Sequence, residues 1–134
     1  MRGASEGGRR HGPVRLAMRE MTVPRALEPG DRIAVVAPAS PFDRAEFDAG
    51  VRELLELGFE PVFDDAVFTR AGFVAGTPAA RASALRSAWR DPSIKAIIGA
   101  RGGYGSAQLL PLLDATEVRR AGKPFIGYSD LTAL

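Results

Sequence analysis

Short apolar runs alternate with amphipathic stretches along most of this chain. Ile33-Ala34-Val35-Val36-Ala37 is continuous, rich in β-branched residues and of strand length, as a strand buried on both faces requires. Pro29-Gly30 turns into it. Asp43 is placed to cap a helix, with Glu46 three residues on as the reciprocal partner of a capping box. Phe47, Val51, Leu54 and Leu55 then recur at helical spacing, and Leu57-Gly58 closes the helix with a glycine just past its end. Residues 59–63 predict a second strand, and 64–76 a loop containing Gly72 and Gly76. Thr77-Pro78 opens a second helix, a cap followed by proline at the first helical position. Its apolar stripe is Ala82, Leu85 and Trp89, and Asp91-Pro92 stops it. Residues 94–99 read as a third strand, followed by a glycine-rich turn over 101–105 and a helix to Leu113. A short helix near 116–121 precedes a fourth strand at 124–127. The chain turns at Tyr128-Ser129-Asp130 and enters a further helix at Leu131.

This alternation predicts an α/β fold: an open, three-layer, mostly parallel sheet of flavodoxin- or Rossmann-like type. Ligands of such sheets sit beyond the carboxyl ends of the strands. Two unusual turns fall there, one after the third strand and one after the fourth. No internal repeat is visible.

Composition narrows the function classes. At 134 residues, 46% hydrophobic and 25% charged, the chain is one soluble globular domain's worth of material. It has no cysteine, which excludes disulfides, zinc thiolates and a cysteine nucleophile. The net charge of +2 hides an asymmetry: residues 1–25 carry six arginines against Glu6 and Glu20, and the remainder is slightly acidic. The basic character therefore belongs to the tail, and no aromatic residue is interleaved with its arginines, so nucleic acid is not an expected partner. No apolar run approaches the roughly 18 residues of a membrane span, and the first 20 residues lack the apolar core of a secretory signal. Residues 1–24 have no sustained period and are expected to be a disordered tail, with Met18 and Met21 as alternative starts to Met1. The domain is then 25–134.

Two motifs carry chemistry. In Gly127-Tyr128-Ser129-Asp130 a serine occupies a tight strand-to-helix turn. Such a turn holds the hydroxyl out beyond the sheet and aims the next backbone N–H groups at the same space, which suits a nucleophile with an oxyanion hole. The full elbow pattern has a second glycine two residues after the serine, where this chain has Leu131. The alternative is a structural one, Ser129 as a helix N-cap with Asp130 in the first turn. In Arg101-Gly102-Gly103-Tyr104-Gly105-Ser106 the glycines permit positive φ and close approach of backbone to a ligand. A helix N-terminus following them favours anions. The Walker lysine pattern is absent, and the alternative is a tight turn with Arg101 solvated or in a structural ion pair.

Taken together and in order, several stretches resemble the LD-carboxypeptidase family, the muramoyltetrapeptide carboxypeptidases grouped with the microcin C immunity peptidases. They are Leu27-Glu28-Pro29-Gly30-Asp31-Arg32 running through Pro38-Ala39-Ser40; Gly76-Thr77 with Arg81 and Leu85; Asp91-Pro92-Ser93-Ile94; Arg101-Gly102-Gly103-Tyr104-Gly105; and Lys123-Pro124-Phe125-Ile126-Gly127-Tyr128-Ser129-Asp130-Leu131. The resemblance runs from about Ala26 to the last residue and covers the family's amino-terminal domain. It implies a serine hydrolase that cleaves the L,D bond between meso-diaminopimelate or lysine and the terminal D-alanine of murein tetrapeptides. This would occur in the cytoplasm, in cell-wall recycling, with no metal or cofactor. Ser129 would be the nucleophile, and the N–H groups of Asp130 and of Gly102 or Gly103 would form the oxyanion hole. Arg101, Tyr104 and Ser106 are candidate substrate contacts. Full-length members are often homodimers.

The family's histidine base and its glutamate lie in a carboxyl-terminal domain. The only histidine of this chain is His11, in the tail. A serine hydroxyl without a base is a poor nucleophile, so the chain is expected to be a fragment, inactive or nearly so alone, with an exposed apolar patch. Two alternatives stand beside this reading: a non-catalytic peptide- or phosphate-binding module, and a microcin-type immunity peptidase acting on a peptidyl or aminoacyl nucleotide. A Rossmann nucleotide binder is disfavoured because no glycine triad follows the first strand.

Overall fold

The computed structural model describes residues 23–134. The tail expected over 1–24, with its alternative starts and His11, lies outside the described residues apart from Val23 and Pro24. Four strands, β1 (Arg32–Val36), β2 (Glu60–Val62), β3 (Ile94–Gly99) and β4 (Phe125–Ile126), form one sheet in the order β2-β1-β3-β4. Every pairing is parallel, with Ala34 beside Ile97 and Ile98 beside Ile126. The chain runs outward from β1 to β2, crosses back over β1 to β3, and continues to β4. The direction reverses between β1 and β3, so the crevice for a ligand opens beyond the ends of those two strands.

Three α-helices flank the sheet: α1 (Arg44–Glu56), α2 (Pro78–Arg90) and α3 (Ala115–Ala121). Asp43, Thr77 and Asp114 cap them by accepting backbone N–H bonds from their first turns. Only the forward half of the expected capping box at α1 forms: Asp43 accepts from Ala45 and Glu46, and among the described residues the Glu46 side chain returns no bond.

Alternate strand residues face opposite layers, as a two-residue period dictates. Ala34, Val36 and Ile97 meet Leu85 and Trp89 of α2 on one side. Val35 and Ala37 meet Phe42, Phe47 and Val67 on the other, where Phe42 and Phe47 stack at 5.1 Å and Phe68 meets both edge-on. On this second face a groove of about 650 Å³ runs between α1 and β3, lined by Phe47, Val51, Leu54, Ile98 and Tyr128. Ile126 and Tyr128 are exposed beside it.

Three segments differ in kind from their sequence expectation. The helix expected to run to Leu113 is a 3₁₀ helix, Ser106–Leu112, with Pro111 inside it; in an α-helix the proline ring would clash with the carbonyl four residues back. The segment expected to begin an α-helix at Leu131 is a 3₁₀ turn, Ser129–Ala133. The 64–76 loop contains a further 3₁₀ turn, Asp65–Phe68, capped by Asp64.

Candidate active site

The corner after β4 is built around a left-handed serine. Ser129 has φ 57°, the sole positive φ of a non-glycine residue among those described. A side chain in this region costs energy and persists only where its surroundings impose it. Those surroundings are visible. Leu131 is buried in the layer beneath, and a β-carbon on Gly127 would stand 2.9 Å from the Leu131 Cβ. A β-carbon on Gly99, at the end of β3, would also collide with Leu131. The leucine that replaces the elbow's second glycine is therefore a plug, and the two flanking glycines make room for it.

The N-cap alternative for Ser129 is not realised. Tyr128 holds the cap position, with no side-chain cap bond, and the Ser129 side chain accepts or donates no hydrogen bond among the described residues. Its residue is exposed. The hydroxyl thus stands free at the sheet's carboxyl edge.

Below the corner lies Ser106, fully buried. Its N–H donates to the Asp130 carboxylate at 2.9 Å and its hydroxyl to the Asp130 carbonyl at 2.5 Å. This corrects the expectation that Ser106 meets substrate: both its polar groups are committed to holding Asp130, and none of its surface reaches solvent. The Thr132 hydroxyl adds a bond to the Ser129 carbonyl at 2.7 Å.

The glycine loop and the serine corner touch. A β-carbon on Gly102 would lie 2.9 Å from Ser129 Cβ, 3.2 Å from the Tyr128 carbonyl oxygen and 3.3 Å from the Asp130 nitrogen. Only glycine permits that approach. Gly103 has φ 102°, and its missing side chain would run into Ser40, in the loop after β1. Ser40 closes the β1–β3 crevice from that side. Its N–H donates to the Gly102 carbonyl at 3.2 Å, and its hydroxyl accepts from the Tyr104 N–H and donates to the Phe73 carbonyl, both at 3.0 Å. Among the described residues no acceptor takes the N–H of Gly102, Gly103 or Asp130.

Arg101 is exposed and donates to the Pro41 carbonyl at 3.2 Å. It forms no ion pair among the described residues, so the structural ion pair weighed for it is not made. Tyr104 is also exposed, at the mouth of the crevice.

One organising residue received no role from the sequence. Arg81 of α2 is only 3% exposed, yet its guanidinium satisfies four acceptors: the carbonyls of Gly76, Pro38 and Gly105 at 3.0, 2.7 and 2.9 Å, and the Gln108 side chain at 2.5 Å. It thereby ties the loops after β1 and β3 to the start of α2. Burial pushes the guanidinium below its ordinary range, and the nearby Asp130 charge opposes the shift. A signal existed: Arg81 is spaced by four from Leu85 and by eight from Trp89, which places a charge on the buried stripe.

The site is thus a serine forced into a left-handed corner of a parallel α/β domain, beside a glycine loop with free amides. The chain is a member of the LD-carboxypeptidase family, whose amino-terminal domain model matches residues 33–134. A Streptomyces coelicolor protein bearing a carboxypeptidase name is 44% identical over 121 residues, covering 87% of this chain and 39% of the relative. The murein tetrapeptide carboxypeptidase of Pseudomonas aeruginosa is 38% identical, over 77% of this chain and 34% of its own length. Among solved structures, the microcin C7 self-immunity protein MccF superposes with a TM-score of 0.78 at 30% identity, over 84% of this chain and 34% of its own. This chain therefore spans little more than a third of the relatives it matches. Among the described residues there is no cluster of three or more metal-ligating side chains, and no helix is long and apolar enough to cross a membrane.

Proposed function

We propose that Ser129 is the nucleophile of a cytoplasmic serine carboxypeptidase that releases the terminal D-alanine of murein tetrapeptide. The observation that carries this is the strained Ser129 corner abutting Gly102. Its hydroxyl oxygen attacks the scissile carbonyl carbon, its proton passes to a base, and the carbonyl oxygen becomes an oxyanion. The Asp130 N–H is one donor to that oxygen.

We assign the second donor to Gly103. The Gly102 carbonyl points to Ser40, on the β1 side of the loop. In a trans peptide the next N–H points the opposite way. β4 lies on that opposite side of β3, which supports a Gly103 N–H directed toward the Ser129 corner. Two such donors, each contributing roughly 3–4 kcal/mol, would supply much of the transition-state stabilisation.

The base is not supplied by the described residues, which contain no histidine. The 134-residue chain alone is expected to release little or no D-alanine. Fusing it to the portion of the Pseudomonas aeruginosa relative that follows the matching segment tests the role of Ser129. The chimera should release D-alanine from the tetrapeptide, and Ser129→Ala should abolish release. Release that survives Ser129→Ala would refute the assignment.

A second reading is favoured by the MccF superposition, since MccF structures match more closely (TM-score 0.78) than the muramoyltetrapeptide carboxypeptidase of Oxalobacter formigenes (0.68). The same serine would then act on a peptidyl or aminoacyl nucleotide. Offering both substrates to the chimera separates the two. A non-catalytic module would bind ligand with or without Ser129 and turn over neither.

A further inference from the structure

We propose that Arg70 and Arg101 form a carboxylate-binding subsite beside the serine corner, which takes a free carboxylate of the peptide substrate; the identity of that ligand rests on the hydrolase reading above. Arg70 lies in the loop before α2 and Arg101 opens the glycine loop after β3. Each is anchored to one of two successive carbonyls: Arg101 to Pro41 at 3.2 Å and Arg70 to Phe42 at 2.9 Å. Both line one shallow cleft, with Ser40, Gly72, Phe73 and Tyr104 around them. No lining residue of this cleft is acidic, and neither arginine forms an ion pair among the described residues. On its other side Arg101 borders the groove that contains Asp43 and Glu46, and neither pairs with it.

A guanidinium has five N–H donors, and among the described residues each of these uses one. Two such cations lining one cleft with no acidic residue beside them make it attractive to an anion. Their planar forks match a carboxylate. The cleft is also correctly placed. Its floor is Ser40, which abuts Gly103, and Arg101 directly precedes the Gly102 that touches Ser129. Phe73, 86% exposed, and Tyr104 give the cleft apolar walls for the aliphatic part of a peptide. The terminal carboxylate of a carboxypeptidase substrate and the other carboxylates of murein tetrapeptide share this chemistry, and the test below distinguishes them.

Calorimetric titration of the 134-residue chain carrying Ser129→Ala, at low salt, measures binding without turnover. The probes are murein tetrapeptide, its C-terminal amide, and the peptide with its remaining carboxylates amidated. Loss of one charge-assisted pair should weaken binding about tenfold, so Arg70→Gln and Arg101→Gln should each show that loss with the free tetrapeptide. Amidating the carboxylate that occupies the subsite should weaken binding of the parent equally, and should leave the two variants no worse than the parent. Arg119→Gln, a charge-matched control on α3, should bind as the parent does. The proposal is overturned if no saturable binding occurs, if neither amidation matters, or if the two variants bind the free peptide as tightly as the parent. The amidated peptides act on the parent chain, so the outcome does not hang on whether a variant folds. Because the nucleophile is absent throughout, failure of the hydrolase reading would appear in the chimera assay and not here.

Discussion

Ser129 and Gly102 at the serine corner, and Arg81 behind the loops that approach it, each support a prediction. Ser129 adopts φ 57° at a cost that glycine would not bear. Ser129→Gly should raise stability by about 1 kcal/mol while removing the proposed nucleophile, measured as a higher urea midpoint. An unchanged or lower midpoint would contradict a strain larger than the unfolded-chain entropy that glycine adds. Gly102→Ala would drive a β-carbon to 2.9 Å from Ser129 Cβ and 3.2 Å from a backbone carbonyl. It should cost about 1–3 kcal/mol and displace the corner, reducing activity of the chimera more than stability alone explains. Arg81→Met removes the partner of four buried or half-buried acceptors. It should destabilise by about 3 kcal/mol or more. At this scale the sequence was informative where Gly127 precedes Ser129 after an apolar strand, because that spacing marks a turn. It was uninformative for Ser106, a candidate substrate contact at the end of the glycine-rich motif, whose partner is the Asp130 backbone and carboxylate. Nothing local distinguishes those roles; they depend on which way the loop folds under β4.

Among the elements, β1, β3, α1 and α2 were legible because long apolar periods and caps agree with one another. Leu85 shows the reason: it lies mid-stripe on α2 and is completely buried against the sheet. Leu85→Ala should cost about 2–5 kcal/mol in chemical denaturation, and a cost under 1 kcal/mol would mean that α2 is not the principal cover of that face. The segments after Gly105 and Ser129 were legible as helical but not as 3₁₀. Their pitch is decided by Pro111 in one case and, in the other, by the seating of Leu131 under the corner, a contact between elements that no local pattern records. Half of the capping box at α1 also failed, since a side-chain return bond competes with solvation of an exposed Glu46.

The molecule as a whole is an all-parallel sheet whose reversal point puts the Ser40 loop on one side of the glycine loop and the serine corner on the other. Strand alternation predicts the parallel sheet; the order β2-β1-β3-β4 depends on contacts between elements that no local pattern carries. Acid should loosen this assembly in a defined direction. Asp91 is held below the ordinary carboxylate value of 3.8 chiefly by the Ser93 hydroxyl and N–H, with help from Arg32 and Lys123. The Glu28 N–H, aided by Arg25, lowers Asp31, and the Thr116 N–H lowers Asp114. A folded pKa below the unfolded one contributes stability that is present above the unfolded value and disappears as pH falls through the folded value. The urea midpoint should therefore drop between about pH 5 and pH 2, and Asp91→Asn should flatten part of that drop. A midpoint that rises on acidification would contradict the assigned bonds.

The central claim is that Ser129 faces amides from two loops at once. The direct measurement is a crystal structure of the active chimera with a peptidyl boronic acid, boron replacing the scissile carbonyl carbon. The predicted result is a bond from Ser129 Oγ to boron, with one boronate oxygen about 3 Å from both the Gly103 and Asp130 nitrogens. An adduct on another residue, or an oxygen turned away from both amides, would contradict it.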